Sequence, residues 1–367
     1  MGRRFMILSA GMGAGHDAVA DELAHRLAQA GHATEKVDVL RLLPAGTGSA
    51  LRRYYAAAVQ YAPWTYDAIY EAFFVPRRRT MRRPLMSTSP LVAPAATALR
   101  RHVERGRPDT VISTFHLAAQ MCGRLRDQGA LPATSVVVVT DFAVHRQWFH
   151  PGNDMHLCPT PESAATLRDM GGRGVVAAGP VVPEPFFRAS SESAAATAYA
   201  RRFAVRVPGA TPVLVSAGAW GVGSGLSRTA ALLASGGYLP VVLCGHNKAL
   251  RRRLVGIPGV VPLGWVTDVP ELMTAVRALV ENAAGQTAAQ ALAVGLPVVN
   301  YRTIAGHGTD GARRMAAAGL SSYVRDPWDL MRVLDELTRD GPLRGARVAA
   351  GKRLFTEDAA ALAAQAR

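Results

Sequence analysis

Four short segments carry residue types that move protons or bind anions. The first is Ser9-Ala10-Gly11-Met12-Gly13-Ala14-Gly15-His16, where an apolar run gives way to a helical period. Its glycines let a ligand approach the backbone, and a helix start favours a negative group. The imidazole of His16 suits removal of a proton from an acceptor hydroxyl near neutral pH. A histidine satisfied by backbone at a helix start is the alternative. The third glycine comes too early for the dinucleotide fingerprint. The second segment, Thr140-Asp141-Phe142-Ala143-Val144-His145-Arg146-Gln147-Trp148, follows the apolar run Ser135–Val139. Polar and aromatic residues after a buried strand stand where α/β proteins bind ligands. Turn capping by Asp141 and simple packing of Trp148 are the alternatives. His145 and His150 have no companion ligands that would make a metal site. The third and fourth segments are Ser216–Gly225, with Gly218, Gly221, Gly223 and Gly225, and Glu281–Leu292, with Gly285, Gln286 and Thr287. Each joins a strand to a helix and predicts a nest for a diphosphate; a flexible turn is the alternative for the third.

The elements that position these segments alternate along the chain. Phe5–Ala10, Ala33–Leu40, Thr110–Ser113, Ser135–Val139, His156–Cys158 and Val175–Ala178 read as strands. Asp17–Ala30 reads as a helix, with Val19, Leu23 and Leu27 on one face and Gly31 as its stop. The alternation restarts with strands at Pro212–Ser216, Leu239–Leu243, Val260–Leu263, Ala278–Glu281 and Pro297–Asn300. Helices are expected at Leu226–Ala234, Lys248–Leu254 and Thr287–Val294. This predicts an α/β protein of two Rossmann-like, doubly wound parallel-sheet domains facing a central cleft. The proline-rich stretch Pro180–Pro185 supplies the linker. The expected division is 1–185, 186–345 and a C-terminal helix over 346–367 that packs back across the domains.

At 367 residues the chain exceeds one small core, and 49% hydrophobic against 19% charged residues marks a globular chain rather than a disordered one. No apolar run reaches the length of a membrane span. Cys122, Cys158 and Cys244 are far apart and form no metal cluster, so reduced thiols and a cytoplasmic location are expected. The formal charge of +15 attracts anions, and its only lysines are Lys36, Lys248 and Lys352. Nucleic-acid binding would rest on charge alone, without a motif, and is not expected. The insertion Leu51–Pro90 places Tyr54, Tyr55, Tyr61, Trp64, Tyr66, Tyr70, Phe73 and Phe74 before Arg77, Arg78, Arg79, Arg82 and Arg83. Such a sequence suits peripheral contact with an anionic membrane surface; a core of aromatics with a solvated arginine face is the alternative.

Together these motifs resemble the family 28-like glycosyltransferases that include the monogalactosyldiacylglycerol synthases and bacterial diacylglycerol glucosyltransferases. The resemblance spans most of the chain. It implies a GT-B fold, an inverting transfer, no essential metal and no cofactor. It places His16 and Gly13 in the acceptor-side glycine loop and Asp141, Phe142, His145 and Trp148 in the acceptor motif, with His16 and Asp141 as the catalytic residues: His16 the expected base, Asp141 its rival or the group that orients a histidine or holds the acceptor. Gly245, His246 and Asn247 fall on its donor-side strand end, and Trp265 and Val266 where the nucleotide base is contacted. The lysine-alanine-glycine-proline-glycine-threonine turn of these proteins reads here Asn282-Ala283-Ala284-Gly285-Gln286-Thr287. Gln290 stands where an acid holds the ribose, and Gly306-His307-Gly308 replaces a glycine-glutamine-glutamate pattern. The expected substrates are a UDP-sugar first, a dTDP-sugar second, and a hydroxyl on a lipid such as diacylglycerol or on a small secondary metabolite. Two other readings share the architecture: a nucleotide-sugar 2-epimerase and a degenerate, non-catalytic helper protein.

Overall fold

The computed structural model describes residues 2–12, 14–61, 63–74, 89–216, 218–221, 223 and 225–366. The chain divides into two compact units, Met1–Val181 with Leu354–Arg367, and Val182–Arg353. The first division lies within the proline-rich linker. The second falls at 353/354 rather than 345/346.

Unit 1 runs β1 (Arg4–Ser9), α1 (Ala14–Gln29), β2 (Ala33–Asp38), α2 (Thr47–Tyr61), α3 (Pro63–Phe73), α4 (Ser89–Gly106), β3 (Thr110–Ser113), α5 (His116–Asp127), β4 (Thr134–Val138), β5 (Met155–Cys158), α6 (Pro161–Asp169) and β6 (Val175–Ala177). Its six-stranded sheet has the order β2-β1-β3-β4-β5-β6, and every pairing is parallel. Period-two alternation sorts β1 onto both faces. Met6 and Leu8 join Leu99, Met121 and Leu125 on one side; Phe5 and Ile7 join Val19, Leu23 and Leu27 on the other. A strand covered on both faces reads as a near-continuous apolar run, which is why β1 is visible in the sequence. The strand expected to reach Leu40 ends at Asp38, whose carboxylate accepts the Leu40 N–H and starts a 3-10 turn over Val39–Leu42.

Unit 2 runs α7 (Pro185–Arg188), α8 (Ala194–Arg206), β7 (Thr211–Ser216), α9 (Leu226–Ser235), β8 (Tyr238–Leu243), α10 (Lys248–Val255), β9 (Val261–Leu263), α11 (Val269–Thr274), β10 (Leu279–Glu281), α12 (Gln286–Val294), β11 (Val298–Tyr301), α13 (His307–Ala317), β12 (Ser321–Val324), α14 (Pro327–Thr338) and α15 (Pro342–Lys352). Its sheet is also six-stranded and parallel, in the order β12-β11-β10-β7-β8-β9. Strand β12 is absent from the sequence expectations; it is short, opens on two serines and lies at the sheet edge. The single C-terminal helix is two. α15 packs on α12 and α14 within unit 2, whereas α16 (Ala359–Gln365), capped by Asp358, packs on α1 within unit 1.

In the aromatic insertion, Tyr70 is buried, Tyr55 and Phe74 are half-buried, and Tyr54 is exposed. The side chains of Tyr61, Trp64, Tyr66 and Phe73, and the arginines Arg77, Arg78, Arg79, Arg82 and Arg83, lie outside the described residues. No described helix is long and apolar enough to cross a membrane.

Candidate functional site

In an open parallel sheet, ligands gather beyond the carboxyl ends of the strands where the strand order reverses. In unit 1 that point lies between β1 and β3. His16, on the first turn of α1, meets the loop after β3 there: its Nδ1 donates to the Thr114 carbonyl at 2.9 Å. A carbonyl only accepts, so this bond puts the proton on Nδ1 and leaves the Nε2 lone pair free in the neutral ring. Thr140 Oγ1, from the loop after β4, lies 3.1 Å from the same Nδ1. The Thr114 hydroxyl donates to the carbonyl of Leu8 at 3.2 Å or of His16 at 3.3 Å, and Phe115 packs edge-on against the imidazole. Ser9 Oγ donates to Asp17 at 2.7 Å, tying the end of β1 to α1. Gly13 lies outside the described residues.

The loop after β4 brings Asp141 and His145 alongside. Trp148 Nε1 donates to Asp141 Oδ2 at 2.9 Å. His145 Nε2 lies 3.6 Å from that oxygen, too far for a direct hydrogen bond. His145 is buried, and its Nδ1 has no partner among the described residues. Rings surround it: Phe74 at 4.7 Å, His116 at 5.1 Å, Trp148 at 6.1 Å and Tyr70 at 6.2 Å between centroids. Burial, and then the Asp141 charge, push the Tyr55 phenol up to about 12. Several aromatics of the insertion thus face the Asp141–His145 pair. The resemblance sets Phe142 and Trp148 against an acceptor, but both are buried, Trp148 completely. Trp148 instead packs with Val137 and Cys158 and holds Asp141 through its indole N–H.

The reversal in unit 2 lies between β7 and β10. The loops after β7 and β8 dovetail there. His246 N–H donates to the Ala219 carbonyl at 2.9 Å. Gly221 has φ +58, and a Cβ on it would strike the Cys244 carbonyl and Asn247, so the turn requires glycine. Asn247 commits both ends of its amide: Oδ1 accepts from Leu250 N–H at 2.8 Å, capping α10, and Nδ2 donates to the Gly221 carbonyl at 3.0 Å. It therefore shapes the glycine loop. Helices α9, α12 and α13 differ from α10: their cap residues are Gly225, Gly285 and Gly306, which have no side chain to satisfy the first-turn N–H groups. Those donors and the positive dipole ends suit an anion.

Below this edge, Glu281 is buried at the end of β10. Its carboxylate accepts from Ala283 N–H at 2.8 Å, from Ala284 N–H at 2.9 Å and from the Asn300 amide. Asn300 is fixed in turn by Ser321 Oγ at 2.6 Å. Burial raises the Glu281 carboxyl to about 7 against the pull of these donors. Ala284 holds the turn at φ +48, with its Cβ seated against Gly311. At Gly308 a Cβ would lie 3.1 Å from Ile304 Cβ and 3.2 Å from the Asn282 carbonyl, so the place of the related proteins' acid is closely filled. Gly218 and His246 are exposed, and Gly245, Thr287, Gln290 and Val266 are half-buried. Trp265 is 56% exposed and stacks on His246 at 4.3 Å with 8° between the planes. Gln286 and His307 stand at the starts of α12 and α13.

Sequence reading missed Thr114, Arg302 and the pairing of Asn300 and Ser321 with Glu281, and it gave Thr140 and Tyr55 no task at the site. Each works through a residue distant in sequence, brought near by the order of the strands. The three thiols are buried and raised by burial, Cys122 and Cys244 to about 11 and Cys158 to about 12. No metal-ligand cluster of three occurs among the described residues.

The family model for monogalactosyldiacylglycerol (MGDG) synthase matches residues 16–179. A processive diacylglycerol beta-glucosyltransferase of Bacillus cereus is 25% identical over 250 residues, covering 66% of this chain and 63% of that protein. The match thus spans less than two thirds of the relative. The glycosyltransferase SnogD from Streptomyces nogalater superposes with a TM-score of 0.58 at 18% identity, over 100% of this chain and 98% of that one. Anabaena HepE in complex with UDP-glucose superposes with a TM-score of 0.55 at 12% identity, over 99% and 95%. The chain therefore has the GT-B glycosyltransferase fold and resembles the family 28-like group of monogalactosyldiacylglycerol synthases and diacylglycerol glucosyltransferases.

Proposed function

We propose that this protein is an inverting, metal-independent glycosyltransferase that moves a sugar from a nucleoside diphosphate to a hydroxyl acceptor. The observation that carries this reading is the His16 Nδ1 to Thr114 carbonyl bond at 2.9 Å, which fixes the tautomer with a free Nε2 lone pair. In a single displacement, Nε2 takes the hydroxyl proton as the acceptor oxygen bonds to the anomeric carbon. The bond from that carbon to the diphosphate oxygen breaks, the nucleoside diphosphate leaves, and the configuration inverts. Asp141, held by Trp148, and His145, whose Nδ1 has no partner among the described residues, orient the acceptor.

The donor is assigned to unit 2. Gly218, Gly221, Gly285, Gln286, Thr287, Gly306 and His307 line the glycine-capped helix starts that take the diphosphate. Trp265, with Val266 and His246, offers an open ring face to the base. Gly245 and Asn247 shape the glycine loop, and Gln290 gives the ribose a neutral amide. HepE, of the same fold, is described in complex with UDP-glucose, which supports a UDP-sugar ahead of a dTDP-sugar. The acceptor is a lipid hydroxyl, as the diacylglycerol relative suggests, or a small molecule. A lipid acceptor gives Tyr54 and the arginines between 77 and 83 a role at an anionic membrane surface of the cytoplasm.

A matrix of UDP- and dTDP-sugars against diacylglycerol and polyketide-type alcohols, without added metal and read by mass spectrometry, tests this directly. We expect one glycosylated product with release of nucleoside diphosphate. Folded protein that binds neither UDP nor dTDP would overturn the proposal.

A further inference from the structure

Arg302 follows β11 at the carboxyl edge of the unit 2 sheet, and no expectation from the sequence included it. Its backbone sits at φ +50, a left-handed conformation that an arginine rarely adopts. The half-buried side chain crosses the Tyr301 ring, with the guanidinium carbon 5.4 Å from the ring centroid. Its Nη1 ends over Gly225, the cap of α9, where an added Cβ would collide with it. Glycine at 225 therefore makes room for the guanidinium.

The protein itself offers this cation little compensation. No carboxylate among the described residues pairs with Arg302, although arginines elsewhere, such as Arg277 with Asp340 and Arg332 with Asp329, find one. Gly225 also begins α9, so the cation stands beside the positive end of a helix dipole. A cation held beside the positive end of a helix is satisfied by a ligand of opposite sign with several acceptor oxygens. A guanidinium fork matches that chemistry.

We propose that Arg302 is the cationic contact for the diphosphate of the donor and sets the preference for a diphosphate over an uncharged nucleoside. This rests on the donor reading of unit 2. During transfer, Arg302 would offset the negative charge that grows on the diphosphate as the glycosidic bond breaks.

Isothermal titration of UDP and dTDP, with uridine and thymidine measured by competition, tests this on the full chain. For Arg302→Ala we expect diphosphate affinity to fall about 10- to 100-fold, the scale of a charge-assisted hydrogen bond, with nucleoside affinity unchanged. Arg302→Lys should recover part of the loss. Arg302→Gly should show the same loss as Arg302→Ala with no fall in Tm, since glycine accepts the positive φ. Equal diphosphate affinity in wild type and Arg302→Ala would overturn the inference while leaving the donor site intact. Parallel losses for nucleoside and diphosphate would also overturn it, because they indicate a collapsed turn. Wild-type protein that binds no nucleotide would overturn the donor reading itself.

Discussion

Unit 1 reverses its strand order after two strands, between β1 and β3, and unit 2 after three, between β7 and β10, and the two places are built from different materials. At the β1/β3 reversal of unit 1, side chains converge: His16 on Thr114, with Asp141, His145 and Trp148 in the loop after the adjacent β4. At the β7/β10 reversal of unit 2, backbone dominates: glycine-capped helix starts, dovetailed loops and one arginine. Proton transfer needs a lone pair at a fixed point, which only a tethered side chain provides. Anion binding needs several donors around a larger group, which peptide N–H groups provide once side chains are cleared away. Under the proposed function, two doubly wound parallel sheets would support two chemistries through what their loops retain.

The largest test of this contrast removes the one tethered lone pair. His16→Ala should lower turnover by about 10²-fold or more and leave UDP or dTDP affinity within error of wild type. Steady-state kinetics on the pair found by the substrate matrix, with titration of the nucleotide, separate the two. A variant that loses nucleotide affinity as much as turnover would break the division of labour between the units.

A smaller effect is expected from the buried carboxyl at the end of β10. The folded pKa of Glu281 is about 7 against an ordinary 4.5. Between those values the folded protein holds a proton that the unfolded chain has lost, so stability falls as pH rises from about 4.5 through 7 and levels off above. The shift corresponds to a few kcal/mol at most, on the order of 3. Urea denaturation at pH 5 and pH 8 should show wild type losing more stability on going to pH 8 than Glu281→Gln does. The Glu281→Gln variant carries a pH-independent penalty against the Asn300 amide, so the slope is the informative quantity. Identical slopes would remove Glu281 as the titrating group.

The smallest effect concerns Ala284. Glycine at this position relieves a left-handed strain of about 1–2 kcal/mol and returns about 0.4–1 kcal/mol through the freer unfolded chain. Ala284→Gly should therefore raise stability by roughly 0.5 kcal/mol, visible as a small rise in Tm. A clear drop would show that the Ala284 Cβ contact with Gly311 outweighs the strain.

Strands buried on both faces were readable because their apolar runs are uninterrupted, as in Phe5–Leu8 and Val213–Val215. Polar residues hid strand β12, which begins with Ser321 and Ser322, and Pro94 interrupts the helical pattern of α4. In the candidate site, loop residues chosen by type were visible, but their tasks were not. Trp148 and Asn247 look like ligand contacts along the chain. In three dimensions the indole serves Asp141, and the amide serves Gly221 and Leu250. Thr114 and Arg302 carry no local motif, since their partners His16 and Gly225 come from segments distant in sequence.

The return of α16 to α1 has a consequence for synthesis. Val19, Leu23 and Leu27 share one apolar cluster with Ala359, Ala360 and Ala363. On the ribosome, the α1 face of that cluster emerges early and waits for its cover while the whole of unit 2 is translated. Unit 2 is continuous in sequence and has its own core, so it can complete folding first. Unit 1 can close only after α16 has emerged, and until that moment the uncovered face is the surface a chaperone would recognise.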